Sequence, residues 1–123
     1  MNDMDGAIAR ARSESDAFIE QLTSGSGEQF GVKAAVEDDG KVEHFWLNQI
    51  VYSDGQFEGV IANDPEIVSN VKLGQKWTVA REEISDWQFT RDGKIHGNYT
   101  MRPLLDTMPA EEADKFRSML AEP

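Results

Sequence analysis

Four side chains of this sequence could act together on a ligand if the chain around them folds as a β-hairpin. A two-residue turn at Asp39-Gly40 would pair the flanking strands so that one face carries an ammonium, an imidazole, an indole and a carboxamide: Lys33, His44, Trp46 and Asn48. In this register Lys33 lies opposite Trp46, where a cation–π contact is worth about 0.5–1 kcal/mol. Such a face offers hydrogen-bond donors above an aromatic floor, which suits an anionic or planar ligand.

The same face also has a structural interpretation. A helix could dock on it with Trp46 as its anchor, while the Lys33 side chain extends past the indole and keeps its ammonium in solvent. We favour this interpretation. The alternative is a ligand pocket around Lys33, His44, Trp46 and Asp86.

A second group of candidate residues lies near the third predicted hairpin. Asp86 precedes Trp87, and Arg102 follows Thr100 by two residues. Asp86 and Arg102 could form a buried ion pair that holds this hairpin, or they could line a pocket with Trp87. We favour the ion pair.

No catalytic or metal-binding motif accompanies these residues. The 23 carboxylates are too many for spacing alone to single out an acid/base pair, and there are two histidines and no cysteine. Asp38-Asp39-Gly40 lacks the alternating ligands and the closing glutamate of an EF-hand loop. The sequence therefore predicts no catalytic residue, no metal and no cofactor.

Three hairpins are predicted to position the candidate residues. The dipeptide Asp-Gly, typical of hairpin turns, occurs at 39–40, 54–55 and 92–93 between strand-like residues. The predicted strands are 30–37 with 41–48, 49–53 with 56–62, 84–91 with 94–101, and one near 75–80. For the third hairpin we expect a three-residue turn with a bulge, since it sets Gly97 opposite Trp87 and gathers the apolar side chains on one face: Trp87, Phe89, Ile95, Tyr99 and Met101.

Helices are predicted at both ends of a single domain over 1–123. The segments are an N-terminal helix over 1–23, a flexible Ser/Gly linker over 24–28, a sheet region over 29–102 and a C-terminal helix over 107–121. Thr107 is the expected N-cap of the last helix. The predicted fold class is α+β, with a bent antiparallel sheet of about six or seven strands that could close partly into a barrel.

The composition limits the classes of function. The chain has 123 residues, 12 Lys+Arg and 23 Asp+Glu, which gives a net charge of −11 and argues against nucleic acid or an anionic membrane as partner. No apolar run approaches the roughly 20 residues of a membrane span. The acidic first residues contain no apolar signal segment, so we expect a cytoplasmic protein. The charge suits a basic protein partner, and we predict a non-enzymatic protein-binding module of inhibitor or immunity type, with a small enzyme or ligand sensor as the alternative.

Several of these residues, taken in order, resemble a bacterial family called domain of unknown function 2314. The motifs are Val32-Lys33, Glu43-His44-x-Trp46, the Gly59 to Pro65 stretch, Gly74, Ile84-Ser85-Asp86-Trp87, Gly97-x-Tyr99-Thr100-x-Arg102 and Leu104-Leu105-Asp106-x-Met108-Pro109. The resemblance covers about residues 29–118. It implies a small α+β domain and carries over no catalytic residue, cofactor or activity.

Overall fold

The computed structural model describes residues 3–121, which form an α+β fold of three helices and six strands. The helices are α1 (Asp3–Ser13), α2 (Ser15–Ser24) and α3 (Ala110–Met119). The strands are β1 (Glu28–Asp38), β2 (Lys41–Ser53), β3 (Gln56–Ile61), β4 (Lys76–Ala80), β5 (Ile84–Arg91) and β6 (Lys94–Gly97). Short 3₁₀ helices occupy Arg81–Glu83 and Arg102–Thr107. The ends of the predicted domain, 1–2 and 122–123, lie outside the described residues.

All six strands form one antiparallel sheet in the order β4-β3-β2-β1-β5-β6. The predicted α+β class and the strand number are confirmed. The partial closure that we considered does not occur, because β4 and β6 are the two edges of an open sheet. None of the helices in residues 3–121 is long and apolar enough to cross a membrane.

The first hairpin has the predicted register. Its pairs include Val32–Leu47, Lys33–Trp46, Ala34–Phe45, Ala35–His44 and Val36–Glu43. Asp39 and Gly40 both have positive φ, 50° and 78°, as a two-residue turn of this type requires. Beyond this hairpin β2 continues to Ser53, where we predicted two separate strands, because a bulge at Gln49 (φ 55°) keeps the chain in the sheet.

The third hairpin also has a two-residue turn, so the predicted three-residue turn is wrong. Arg91 pairs with Lys94 across Asp92 and Gly93, which have φ values of 53° and 76°. β6 ends at Gly97, where the prediction continued the strand to residue 101.

Gly97 nevertheless makes room for Trp87, although its register partner is Gln88. A Cβ atom at Gly97 would lie 2.4 Å from the backbone oxygen of Trp87 and 2.5 Å from its Cε3 atom. Gly97 also has a φ of 80°, which side-chain-bearing residues rarely adopt. Both the lack of space and the positive φ therefore exclude a residue larger than glycine at position 97.

The core lies between the two N-terminal helices and one face of the sheet. Phe18 of α2 is fully buried, and its ring contacts the rings of Phe30, Phe57, Trp87 and Phe89. The indole Nε1 of Trp87 donates a hydrogen bond to the backbone oxygen of Ala11 in α1 at 2.9 Å. These contacts place Trp87 in the core.

The N-terminal segment forms two helices where we predicted one over 1–23. The chain turns at Glu14, between α1 and α2. The Glu14 carboxylate accepts hydrogen bonds from the Arg10 guanidinium at 2.7 Å and from the Tyr99 hydroxyl at 2.9 Å. The turn is thereby tied to the chain that follows β6.

The Ser/Gly linker predicted over 24–28 is shorter in the structure and has defined contacts. Gly25 ends α2 with a φ of 70°, and β1 begins at Glu28. The Arg91 guanidinium donates to the backbone oxygen of Ser26 at 2.7 Å.

The C-terminal helix α3 begins three residues after the predicted N-cap. Thr107 belongs to the preceding 3₁₀ helix, and its hydroxyl donates to the backbone oxygen of Leu104 at 2.7 Å. Pro109 occupies the N-cap position. On this helix Ala113 is buried, and just after the helix Leu120 forms a bridge with Ile95 of β6.

Candidate functional site

The four residues of the predicted platform lie on the sheet face opposite the core. Lys33 and Trp46 are half-buried, whereas His44 and Asn48 are exposed. The Lys33 Nζ atom lies 5.8 Å from the centroid of the Trp46 ring, so the predicted cation–π contact is present. The structure divides this face into two depressions, one at each end of the platform.

The first depression, which we call the hydroxyl pocket, has a volume of about 200 Å³ and lies at the Lys33–His44 end. Its lining residues are Met4, Ile8, Lys33, His44, Ser85 and Thr100. The ammonium of Lys33 donates to the Thr100 hydroxyl oxygen at 3.2 Å. The Ser85 hydroxyl lies 3.4 Å from Nδ1 of His44. The pocket thus combines one cation, two hydroxyls and an imidazole under two apolar side chains of α1.

The surroundings of His44 favour the neutral form of its imidazole. Although the residue as a whole is exposed, desolvation of the ring and the nearby positive charge of Lys33 both lower the pKa of the imidazole from the ordinary 6.5. A neutral imidazole has one donor and one acceptor nitrogen. His44 can therefore offer the hydroxyl pocket one hydrogen-bond group while the other nitrogen faces Ser85.

The second depression, which we call the amide depression, has a volume of about 420 Å³ and borders Trp46. Its lining includes Gln29, Gly31, Trp46, Asn48, Gln88 and Thr90. Only strand and loop residues line it, so the prediction that a helix docks on Trp46 is wrong. The helix residues Met4 and Ile8 instead cover the Lys33–His44 end of the face.

Asp86 is fully buried, and its carboxylate accepts hydrogen bonds from the chain segment that follows β6. Its carboxylate accepts four hydrogen bonds, from the backbone N–H groups of Trp87 (2.8 Å), Tyr99 (3.0 Å) and Thr100 (2.9 Å) and from the Thr100 hydroxyl (2.6 Å). Backbone donors stabilise a buried carboxylate without a cationic partner. Asp86 therefore fixes the Thr100 hydroxyl that Lys33 contacts.

Arg102 does not pair with Asp86, so the predicted buried ion pair is wrong. The guanidinium donates to the backbone oxygen of Gly97 at 2.9 and 3.2 Å and lies 5.6 Å from the centroid of the Tyr99 ring. Burial lowers the pKa of this guanidinium. Arg102 is therefore separate from the platform. Trp87 is separate from it too, because it lies in the core.

The turn end of the first hairpin carries a feature that was not predicted from the sequence. The Oε1 atom of Glu43 accepts hydrogen bonds from three successive backbone N–H groups, those of Glu66 (3.1 Å), Ile67 (2.8 Å) and Val68 (3.2 Å). Next to it, Asp38 accepts from the N–H and the hydroxyl of Ser69, both at 2.9 Å. The only signal in the sequence is a charged Glu43 opposite Val36 on the core face.

These hydrogen bonds change the acidity of both carboxyls. For Glu43, desolvation opposes ionisation, but the three backbone donors outweigh it and lower the pKa. The Ser69 backbone and hydroxyl donors lower the pKa of Asp38. Two ionised carboxylates therefore hold the loop between β3 and β4 against the hairpin.

We call this end of the sheet, formed by the first hairpin turn and the loop between β3 and β4, the acidic tip. Its exposed residues include Glu37, Asp39, Val42, Glu66 and Ile67. Val42 and Ile67 are 50% and 54% exposed. Acidic side chains flank both of them. Within residues 3–121 no group of three or more His, Asp and Glu side chains is arranged to hold a metal ion.

Comparison with known proteins identifies relatives. The uncharacterised protein YegJ of Escherichia coli is 52% identical to this chain over 117 residues, which are 95% of this chain and 76% of that protein. A protein of Neisseria meningitidis serogroup B that is named as an ankyrin repeat protein is 33% identical over 76 residues, 61% of this chain and 30% of that protein. No solved structure is significantly similar to this chain.

The family resemblance stated from the motifs is confirmed and extends further toward the N-terminus than residue 29. Residues 1–121 match the family described as an uncharacterised protein conserved in bacteria, DUF2314. The matched range includes α1 and α2, which cover the core. The chain belongs to this family of uncharacterised bacterial proteins.

Proposed function

We propose that this protein is a non-enzymatic protein-binding module of inhibitor or immunity type that acts in the cytoplasm and binds a basic protein through its acidic tip. The observation that carries the proposal is the pair of exposed aliphatic side chains, Val42 and Ile67, flanked by carboxylates. Protein interfaces commonly join an apolar centre to a polar rim. The acidic tip has both parts.

The net charge supports a basic partner. A chain of charge −11 attracts a cationic protein over long distances and raises the rate of encounter. Lys41, in the hairpin itself, is exposed and offsets part of this acidic charge. Rim charges of this kind affect association rate and salt dependence more than the final affinity.

The rigidity of the tip supports the same role. The backbone of residues 66–69 is held by Glu43 and Asp38, so Ile67 is presented on a fixed loop. A surface that is ordered before binding loses less conformational entropy when the complex forms. This arrangement favours binding through a preformed surface.

The relatives give a further argument. One relative is named as an ankyrin repeat protein, and this chain matches 30% of its length. Repeat proteins use extended concave surfaces to bind other molecules. A domain that occurs in one chain with such repeats suits a role in protein recognition.

A second candidate function is a small enzyme or ligand sensor, which the hydroxyl pocket favours. Of the four residues predicted for that pocket, Lys33 and His44 line it, whereas Trp46 borders the amide depression. Asp86 is fully buried and its carboxylate already accepts four hydrogen bonds, so it does not reach a ligand directly. The pocket thus suits recognition of a small molecule better than acid/base chemistry by Asp86.

Affinity capture from the native cell extract with two matched triple variants tests the first proposal. The tip variant carries Asp39→Asn, Glu66→Gln and Ile67→Ser. The control variant carries Glu111→Gln, Glu112→Gln and Met119→Ser, on the exposed surface of α3. Each variant removes two negative charges and one exposed apolar side chain.

We expect the parent and the control to retain the same basic protein at low salt and to release it at high salt, while the tip variant does not retain it. Equal retention by both variants would contradict a role for the acidic tip. Recovery of a small metabolite without a protein would favour the second candidate.

A further inference from the structure

We propose that the amide depression is a binding site for a neutral sugar ring. Beside the half-buried Trp46 indole, its polar lining consists of three carboxamides and one hydroxyl: Gln29, Asn48, Gln88 and Thr90. The rest of the lining is Gly31 and apolar: Phe30, Leu47, Ala62 and Ile95. Its volume of about 420 Å³ falls within the roughly 300–1,000 Å³ of small-molecule sites. This site is distinct from the acidic tip and does not depend on the function proposed for that surface.

Two backbone irregularities lie at or beside this depression. Gln29 in β1 and Gln49 in β2 both have a φ of 55°, which is unfavourable for residues other than glycine. The strand register shifts at both places, between Glu28 and Gly31 and between Asn48 and Val51. Bulges redirect side chains and are frequent next to functional sites. Strained residues of this kind persist when the surrounding structure holds them in place.

The two bulges also open a second, adjoining depression of about 420 Å³, and it shares Gln29 and Asn48 with the first. Gln49 belongs to its lining. The two hollows are therefore neighbours on the surface.

Gly31 forms the floor between Asn48 and Gln88. A Cβ atom there would lie 3.2 Å from the backbone oxygen of Leu47, 3.5 Å from Cε3 of Trp46 and 3.7 Å from Cγ of Gln88. A side chain at this position would fill the space that separates the indole from the carboxamides. Glycine keeps that space available.

The hydrogen-bonding groups of the wall are largely unused. Within residues 3–121 the carboxamides of Asn48 and Gln88 make no hydrogen bond to protein, and Gln29 uses its oxygen to accept from the Thr90 hydroxyl at 3.1 Å. Each carboxamide offers two N–H donors and one acceptor. Sugar hydroxyls both donate and accept, so neighbouring hydroxyls can satisfy both sides of a carboxamide.

The alternatives fit less well. No charged side chain lines the depression, and the nearest ammonium, Lys33, already contacts Thr100 and the Trp46 ring, which argues against an anionic ligand. Since β1, β2 and β5 are interior strands, no sheet edge is open there for an added peptide strand. A pyranose has an apolar C–H face that the electron-rich surface of an indole attracts.

Titration of the full chain with maltose, cellobiose and di-N-acetylchitobiose, followed by two-dimensional ¹H–¹⁵N NMR, tests the proposal. We expect at least one of them to shift the side-chain amide signals of Asn48 and Gln88 and the indole N–H signal of Trp46, with a Kd of about 1 mM or tighter. The signals of Trp77 and Trp87 serve as internal references, since both lie outside the depression.

Shape-conserving variants separate recognition from folding. Asn48→Leu and Gln88→Met remove the carboxamides and should weaken sugar binding about tenfold each, while Gln56→Met, an exposed carboxamide outside the depression, should leave it unchanged. The proposal is overturned if no sugar shifts the three signals, or if binding is the same in both variants as in the parent. The acidic-tip variant should bind the sugar as the parent does, and loss of binding there would also count against the assignment.

Discussion

Asp86 shows how a single residue organises the candidate site. We expected Arg102 to pair with this carboxylate, but three backbone N–H groups and one hydroxyl bind it instead. A buried carboxylate needs hydrogen-bond donors, and here the backbone supplies most of them. The bonds to Tyr99 and Thr100 pull the chain out of the sheet after Gly97 and place a hydroxyl beside Lys33.

Replacing Asp86 with asparagine should therefore destabilise the whole domain. In Asp86→Asn one acceptor oxygen becomes an NH₂ group that faces backbone N–H donors, and we expect a loss of about 3 kcal/mol or more in the free energy of unfolding. Urea denaturation measures it. Asp92→Asn, the same change at an exposed turn residue, should cost less than about 0.5 kcal/mol. Similar midpoints for the two variants would contradict the assigned role.

Two of the tryptophans should differ sharply in their contribution to stability. Trp87 is 4% exposed and packs against Phe18, Phe89 and Tyr99, so Trp87→Ala should cost about 3–5 kcal/mol. Trp46 borders an open depression, and Trp46→Ala should cost about 1–2 kcal/mol. Thermal or urea melts of both variants give the comparison. A Trp46→Ala variant as unstable as Trp87→Ala would show that the indole is packed as a core residue.

The loop between β3 and β4 is the element whose position depends most directly on charge. Glu43 and Asp38 bind its backbone as carboxylates, and this lowers the pKa of both groups. A carboxyl whose pKa is lowered in the folded state stabilises that state above its ordinary pKa, and the contribution disappears as the pH falls through the lowered value. The ordinary values are 4.5 for Glu43 and 3.8 for Asp38.

We therefore expect the loop to be released when the pH falls below these pKa values and to stay fixed at neutral pH. The amide signals of Ile67 and Ser69 in ¹H–¹⁵N NMR spectra report on Glu43 and Asp38 separately. We expect Glu43→Gln to remove the titration at Ile67 and to preserve it at Ser69, and Asp38→Asn to do the reverse. Titration at both amides in both variants would show that another group controls the loop.

The whole molecule is dominated by its negative charge. The chain has 23 Asp+Glu and 12 Lys+Arg. Asp86 is the buried carboxylate among the residues whose burial the structure describes, and their other Asp and Glu side chains are exposed or partly exposed. Among the described residues, Arg10 pairs with Glu14 and Arg81 with Asp16. Arg91, Lys94 and Arg117 line one depression together with Asp92.

We expect no measurable binding to duplex DNA at physiological salt. Protein–DNA affinity depends on the neutralisation of phosphates by lysine and arginine, and a chain of charge −11 repels the duplex. An electrophoretic mobility shift experiment at micromolar protein checks this. A clear shift that weakens with added salt would contradict the argument from charge.

Local chemistry explains why part of the architecture could be predicted. The turn at Asp39-Gly40 depends on two residues that accept positive φ, and it sets every pair of the first hairpin, including Lys33 with Trp46. The prediction for the third hairpin was wrong because it placed the aromatic Tyr99 in a strand. Tyr99 is buried, but it lies beyond the end of β6. Its burial arises from the turn that Asp86 holds.

The sequence by itself determined the α+β class, the acidic surface, the family and the face on which Lys33, His44, Trp46 and Asn48 lie. Each of these follows from composition, from motif order or from the alternation of side chains within a few residues of a turn. Only the tertiary structure decided that β5 lies beside β1, which brings Ser85 to Lys33 although they are 52 residues apart in the chain. That pairing creates both depressions, and it depends on the packing of Phe18 and Trp87 between distant elements, which no local pattern encodes.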